Sequence, residues 1–252
     1  MTDEQPRLYG ELADWFHLLT APASYVEEAD FYQRTLLEAC DEAPRTLLEL
    51  GSGGGNNASH LKRHFELTLV DRSPQMLEVS QSLNPECRHV AGDMRDVRLG
   101  EEFDAVFVHD AIAYITTEDD LAATILTAAE HVRPGGAALF VPDFVRERFE
   151  QRTQHGGHDG ERRGLRYLEW AWDPDPSDTT YVSDFAYLLR EGGEVRCVQD
   201  RHVCGLFPRA LWIELLERAG LEARHVVAPP DEEPAGAELF VGKKPGGATS
   251  WS

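Results

Sequence analysis

The sequence is short of cations. Lys and Arg total 24 against 45 Asp and Glu, a formal net charge of −21 over 252 residues. Affinity for phosphate backbones and anionic lipid surfaces rests largely on Lys and Arg, so no nucleic-acid or membrane partner is expected. Arg146, Arg148, Arg152, Arg162, Arg163 and Arg166 form one modest cluster, but interleaved acids give it the pattern of a solvated face. Cysteine is also scarce. Cys40, Cys87, Cys197 and Cys204 make no C-x-x-C pair and no disulfide framework, which suits small buried side chains in a reducing cytoplasm. No apolar run approaches the about eighteen residues that span a bilayer. The opening stretch MTDEQPRLYG is acidic and polar, unlike a secretory signal. Internal repeats and linker-bounded domains are missing too. At 42% hydrophobic residues the chain can still build a core, as one large domain or one domain with an insertion.

The rest of the chain is organised around Thr46 to Asp71, TLLELGSGGGNNASHLKRHFELTLVD. It reads as strand, glycine-rich turn, helix and strand. A strand that runs into clustered glycines must turn sharply, and glycine accepts the positive φ such a turn needs. Asn56 and Asn57 are candidate caps for a helix carrying Leu61 and Phe65. Asp71 ends the second strand twenty positions after Gly51. A right-handed βαβ unit places it beside the turn, where a carboxylate can accept both hydroxyls of a ribose. A dinucleotide site would use G-x-G-x-x-G to meet a pyrophosphate. Here Asn56 stands at the last glycine position, and Glu49, two residues before Gly51, would repel a pyrophosphate but suit an ammonium group. An ordinary βα turn without a ligand is the structural alternative.

The pattern E-x-G-x-G-x-G with an acid ending the next strand resembles the class I S-adenosylmethionine-dependent methyltransferases. Further along, His109-Asp110-Ala111-Ile112-Ala113-Tyr114 resembles the S-S-I-G-Y-L segment of small-molecule N-methyltransferases acting on amino sugars, with Ala113 in place of glycine. The resemblance covers most of the chain and is strongest over Thr46 to Val141. It implies a doubly wound, seven-stranded, mostly parallel α/β sheet of Rossmann-like type, with an inserted antiparallel β cap and an N-terminal helical lid. The expected divisions are 1–45 for the lid, 46–143 with 206–244 for the cofactor-binding core, 144–205 for the cap and 245–252 for a disordered tail.

Individual segments carry the expectation residue by residue. Tyr9 to Ala39 is helical, interrupted by Pro22, with Leu12, Trp15, Phe16 and Leu19 at helical spacing. The family's lid implies that Tyr9 and Trp15 touch the methionine end of the cofactor. Ser73 can cap a helix that starts at Pro74 and turns Met76, Leu77 and Val79 inward. After a third strand, Arg88 to Ala91, the family pattern puts Asp93 on the adenine amino group and Met94 against the ring. Phe103 to Val108 is the clearest buried strand. Its end lies near the point where strand order reverses, which makes His109 and Tyr114 well placed for a ligand. A helix from about Thr117 to His131 stops at Arg133-Pro134-Gly135-Gly136, before a strand from Ala137 to Val141. Three strand-like runs, Leu165 to Trp172, Thr179 to Leu189 and Glu194 to Gly205, form the cap. A helix from Pro208 to Gly220 and an antiparallel pair, Glu222 to Val227 and Glu238 to Lys243, close the sheet.

The expected activity is S-adenosylmethionine-dependent methylation of a small molecule, at an amine nitrogen or a hydroxyl, by in-line displacement. Cofactor contacts are expected from Tyr9, Trp15, Glu49, Gly51, Ser52, Gly53, Asp71, Arg72, Met76, Asp93, Met94 and His109. A hydroxyl acceptor needs a base, for which His109 leads, with Tyr114, His155 and His158 as further catalytic candidates. Tyr114, Asp143, Tyr167, Trp170 and His202 are the acceptor candidates. Trp170, Trp172, Phe185 and Tyr187 alternate on strands and either fill the inner face of the cap or box a cationic amine. His155, His158 and Asp159 lie on a glycine loop without the helical geometry of zinc motifs, so no metal is expected. An NAD-dependent oxidoreductase and a non-catalytic S-adenosylmethionine-binding protein are the competing readings. An exposed edge of the cap could pair with a second copy of the chain in a homodimer.

Overall fold

A computed structural model of the chain describes residues 5–231 and 233–246. Residues 1–4 of the expected lid and 247–252 of the expected tail lie outside the described residues. The first element is a run of short turns of helix, Arg7–Tyr9, Ala13–Trp15, α1 (Phe16–Leu19) and Pro22–Tyr25, followed by α2 (Val26–Ala39). There follow β1 (Thr46–Leu50), α3 (Ala58–Leu61), β2 (Glu66–Asp71), α4 (Pro74–Leu83), β3 (Arg88–Ala91), β4 (Phe103–His109), α5 (Glu118–His131) and β5 (Val132–Val141). Strands β6 (Arg152–Gly156), β7 (Arg163–Trp172), β8 (Thr180–Glu191) and β9 (Glu194–Gly205) come next, then α6 (Arg209–Arg218), β10 (Glu222–Val227) and β11 (Glu238–Lys243).

The seven-stranded sheet runs β10-β11-β5-β4-β1-β2-β3. The inner strands are parallel, and β11 runs antiparallel between β10 and β5. Alternation along each strand feeds two cores, because successive side chains point to opposite faces. Leu48, Leu50, Val106 and Val108 pack with Leu121 and Ile125 of α5 and with Trp212, Leu215 and Leu216 of α6. Leu47, Leu69, Ala105 and Phe107 pack with Tyr32 and Leu36 of α2 and with Leu61. The chain steps from β3 back across β1 to β4, so the order reverses between β1 and β4. That switch point opens the crevice in which the cavity described below sits.

The second sheet is an antiparallel meander, β6-β7-β8-β9. Its first strand, β6, falls in a polar stretch that carries no strand periodicity. Leu165, Tyr187, Leu189 and Val198 on one face close over Leu12 and Trp15 of the N-terminal segment.

Three local expectations change. The helix after the glycine turn is a single turn, α3, and neither Asn56 nor Asn57 caps it by its side chain. The Pro134-Gly135-Gly136 stretch lies inside β5, as an irregularity in the pairing with β4, instead of ending a helix before a separate strand. In α4 the buried residues are Met76 and Ser80, while Leu77 and Val79 are only partly covered. The cap of α4 forms as expected: Ser73 Oγ accepts from the Met76 amide at 3.2 Å, with Pro74 in the first turn.

Candidate active site

A cavity of about 640 Å³ lies along the carboxyl edge of β1, β2, β3 and β4. The N-terminal segment crosses it with Pro6, Tyr9, Phe16 and Leu19, and the second sheet contributes Gln154, Tyr167, Glu169 and Phe185.

The glycine turn forms its floor. Gly51, Gly53 and Gly55 all have positive φ, at 75°, 52° and 75°. At Gly51 space is as decisive as conformation, since a Cβ there would lie 2.3 Å from Ala111 Cβ. The Gly51 and Ser52 amides donate to the Val70 carbonyl, which pins the turn to β2. Asp71 braces it from the other side. One of its oxygens accepts from the Gly53 amide and the other from the Ser73 amide, both at 2.8 Å. Burial pushes its carboxyl up, against those two amides and Arg72, which pull it down. Each oxygen keeps a lone pair for a further donor.

Glu49 is 4% exposed, and its Oε2 has no hydrogen-bond partner among the described residues. Burial, then the charges of Asp71 and Asp110, push its carboxyl from 4.5 to about 8. Leaving a buried carboxylate oxygen unpaired costs free energy that a cationic ligand would recover. Asp93 and Met94 line the adjoining wall. Arg95 grips Asp93 with its backbone amide, Nε and Nη2 at 2.8–3.0 Å, which holds the Asp93 carboxyl below its usual range despite partial burial.

The other half of the cavity is built from His109, Asp110, Tyr114 and Tyr9. His109 is stacked on Phe107. Its Nδ1 lies 3.2 Å from Asn57 Nδ2, which also donates to Glu28 Oε1, so Nδ1 is the accepting nitrogen. Nε2 then carries the proton, 3.1 Å from Asp110 Oδ1. Burial lowers the His109 pKa, so the ring is neutral with its accepting nitrogen occupied by Asn57. Asp110 has φ 45°, the one positive value outside glycine among the described residues. Its side chain is 59% accessible, but that surface opens into the cavity. Asp143, at the end of β5, faces it. The surrounding protein, and for Asp143 the charge of Asp110, hold both carboxyls well above their ordinary range. Tyr9 and Tyr114 touch through their hydroxyls at 2.7 Å. Burial keeps both phenols un-ionised.

Of the residues singled out from sequence, the structure gathers Tyr9, Glu49, Gly51, Ser52, Gly53, Asp71, Arg72, Asp93, Met94, His109, Tyr114 and Tyr167 around this one cavity. Others stand elsewhere. Trp15 is buried beneath the second sheet with Arg163 stacked on it, because its side of the helical stripe faces the core. Met76 is buried beneath the turn. Asp143 is next to the cavity, with Tyr181 donating to it at 3.3 Å. His155 is exposed on the edge strand β6, and His158 is exposed in the loop that follows, where its amide donates to the Leu18 carbonyl. Trp170 is 46% exposed on the outer face of the second sheet, stacked on Trp172. The register puts Trp170 opposite Asp184 and Phe185 opposite Glu169, so the four alternating aromatics divide between two faces and form no single box. His202 is 2% exposed and sits behind Tyr114.

Sequence reasoning missed Glu28, Asn57, Asp110, Glu169 and Asp200. Asn57 reads as a helix cap, and Glu28 and Glu169 read as ordinary solvated acids. Asp110 could have been found, since an acid directly after a buried strand at a switch point is a ligand position. No group of His, Cys, Asp and Glu among the described residues has the arrangement of a metal site.

The chain matches the family described as "Methyltransferase domain" over residues 47–136. It is 27% identical over 237 residues to a dTDP-3-amino-3,4,6-trideoxy-alpha-D-glucopyranose N,N-dimethyltransferase of Streptomyces venezuelae, covering 93% of this chain and 97% of that protein. It is 28% identical over 202 residues to a dTDP-4-amino-2,3,4,6-tetradeoxy-D-glucose N,N-dimethyltransferase of Saccharopolyspora spinosa, covering 79% and 78%. Among solved structures, the sugar N-methyltransferase KedS8 from Streptoalloteichus superposes with a TM-score of 0.82 at 24% identity, over 97% of this chain and 96% of that one.

Proposed function

This chain is a class I S-adenosylmethionine-dependent methyltransferase acting on a small molecule, and we propose that its acceptor is the amine nitrogen of a nucleotide-linked amino sugar. The observation that carries this reading is the pair of un-ionised tyrosine hydroxyls, Tyr9 and Tyr114, in the acceptor half of the cavity, beside the acids Asp110 and Glu169. A hydroxyl acceptor would need a free base, and the accepting nitrogen of His109 is occupied by Asn57. The two curated relatives, both named for dimethylation of dTDP-linked amino sugars, support the same choice.

The cavity fits S-adenosylmethionine on its own evidence. The unpaired Glu49 oxygen suits an ammonium group, the remaining lone pairs of Asp71 suit a ribose diol, and Asp93 with Met94 suits an adenine ring. Gly51, Ser52 and Gly53 let that ligand approach the backbone, and Arg72 lines the same wall. When bound, the cofactor supplies a methyl group on a sulfonium already activated for displacement. The protein's contribution is then to hold the nucleophile in line and to exclude water, and positioning of this kind is worth roughly 7–11 kcal/mol. Tyr9, Phe16 and Leu19 from the N-terminal segment serve as the lid. The inner face of the second sheet, with Tyr167, Glu169 and Phe185, serves as the acceptor-binding cap. Asp110 and Asp143 draw in the ammonium form of the acceptor and can take the proton it must lose before its lone pair attacks the methyl group.

The outer face of that sheet exposes Leu168, Trp170, Leu188 and Val195 at 46–61%. This apolar patch supports a homodimer formed through the cap. No helix among the described residues is long and apolar enough to cross a membrane. The four unpaired cysteines and the excess of acids support work in the cytoplasm without a nucleic-acid partner. The deciding experiment is incubation with S-adenosylmethionine and dTDP-3-amino-3,4,6-trideoxy-α-D-glucopyranose, followed by mass spectrometry. Gain of one or two methyl groups on nitrogen is expected. Methylation of a hydroxyl analogue in preference to the amine would refute the choice of nucleophile.

A further inference from the structure

Behind the two tyrosines runs a chain of hydrogen bonds that ends on the N-terminal segment itself. Tyr9 Oη lies 2.7 Å from Tyr114 Oη, and Tyr114 Oη lies 2.8 Å from His202 Nδ1. His202 Nε2 lies 3.1 Å from Asp200 Oδ2. Asp200 also accepts from the backbone amides of Arg7, at 3.1 Å, and Leu8, at 3.0 Å. Asp200 and His202 are 8% and 2% exposed, and His202 does not line the cavity.

The direction of each bond follows from its partners. Burial opposes charge on Asp200, but His202 and the two amides outweigh it and hold the carboxyl below its ordinary value. An ionised carboxylate only accepts, so His202 Nε2 donates to it. Because Nε2 is the donor nitrogen, Nδ1 is the accepting one, and Tyr114 donates to it. With that proton committed, Tyr114 Oη accepts from Tyr9. Both phenol oxygens are left with lone pairs and no free proton toward the cavity.

We infer that Asp200 and His202 are positioning residues that make Tyr9 and Tyr114 hydrogen-bond acceptors for the two N–H groups of the amine, leaving the nitrogen lone pair aimed at the methyl group, and that Asp200 does this while also latching the N-terminal segment. This rests on the amine reading given above. A primary amine offers two hydrogens and one lone pair, which matches two acceptors and one methyl; a hydroxyl offers a single hydrogen. The latch ties closure to polarity. Tyr9 follows Arg7 and Leu8 directly, so the amides that meet Asp200 also bring Tyr9 to Tyr114.

Asp200→Asn, with its amide turned to donate to Nε2, gives up the Leu8 amide, which shares Oδ2 with His202, and keeps the Arg7 amide on its other atom. The ring proton then moves to Nδ1, and every bond in the chain reverses. Nitrogen-15 shifts of His202 read this directly, without an acceptor. The wild type is expected to carry its proton on Nε2, and Asp200→Asn on Nδ1. In steady-state assays with dTDP-3-amino-3,4,6-trideoxy-α-D-glucopyranose, Asp200→Asn should lower kcat roughly ten- to hundredfold, as for a reversed hydrogen bond to a reacting group. The Kd for S-adenosylhomocysteine should stay within about threefold, because no cofactor contact is removed. Where Asp200→Asn does not fold, Tyr114→Phe breaks the chain without touching the latch and should give the same split between kcat and Kd. A wild-type ring protonated on Nδ1 overturns the inference, and so does an unchanged kcat in a folded Asp200→Asn with its ring proton on Nδ1, or in Tyr114→Phe. Failure of the wild type to methylate this sugar amine would instead count against the acceptor reading, while the two tautomers still decide the inference.

Discussion

Glu49 shows how much one residue can carry. Its carboxyl is raised from 4.5 to about 8, so the folded protein holds a proton there that the unfolded chain has released. With the native pKa the higher one, Glu49 weakens the unliganded fold as pH rises from about 4.5 to about 8, and it favours the fold below that window. A cationic ligand reverses the balance by favouring the ionised form. Binding of S-adenosylmethionine at pH 7 should therefore release about one proton. Calorimetry in buffers of different ionisation enthalpy measures it, and Glu49→Gln should abolish both the release and much of the affinity. Glu49 and Asp71 could be placed beside the turn from sequence because each stands at the end region of a strand, at a fixed distance from the glycines. Asp200 was not legible, because its role depends on a backbone contact with Arg7 and Leu8 across nearly the whole chain.

At the scale of elements, periodicity and caps read well where one face meets the core. Ser73 is an example: its Oγ accepts from the Met76 amide and also donates to the Tyr9 carbonyl at 2.6 Å, joining the start of α4 to the N-terminal segment. Loss of a cap costs about 1 kcal/mol. Ser73→Ala should therefore lower stability by roughly 1–2 kcal/mol in chemical denaturation, with weaker cofactor binding as the segment loosens. Periodicity failed where pairing alone makes the element. Strand β6 has an exposed, polar sequence and exists because β7 offers it a partner edge. The division of Trp170 and Phe185 between faces was likewise hidden, because register depends on how β7 meets β8 and a one-residue slip exchanges the faces. The single turn of α3 has the same kind of cause: tertiary contacts hold Asn56 and Asn57, at Thr20, Glu28 and His109.

For the whole molecule, the doubly wound sheet was legible through the resemblance that the glycine turn and its flanking acids carry, and the inserted sheet because three runs lie between glycine and proline turns. What surrounds the chain was not, since an association surface has no periodicity of its own. The outer face of the inserted sheet makes a definite prediction: Leu188→Glu should convert a dimer to a monomer in analytical ultracentrifugation without changing the Kd for S-adenosylhomocysteine. A wild type that sediments only as a monomer would end the dimer proposal. The position of β11 bears on how the chain reaches this fold. It fills the gap between β5 and β10, with Phe240 opposite Phe140, so one edge of β5 stays open until the entire inserted meander has been passed. The strands of the meander pair only with successive neighbours and need no distant strand. Loop-closure entropy thus sets an order of assembly in which β6 to β9 form early and the large sheet closes late. Trp212, stacked on Phe240 at 4.9 Å, is a built-in reporter of that last step.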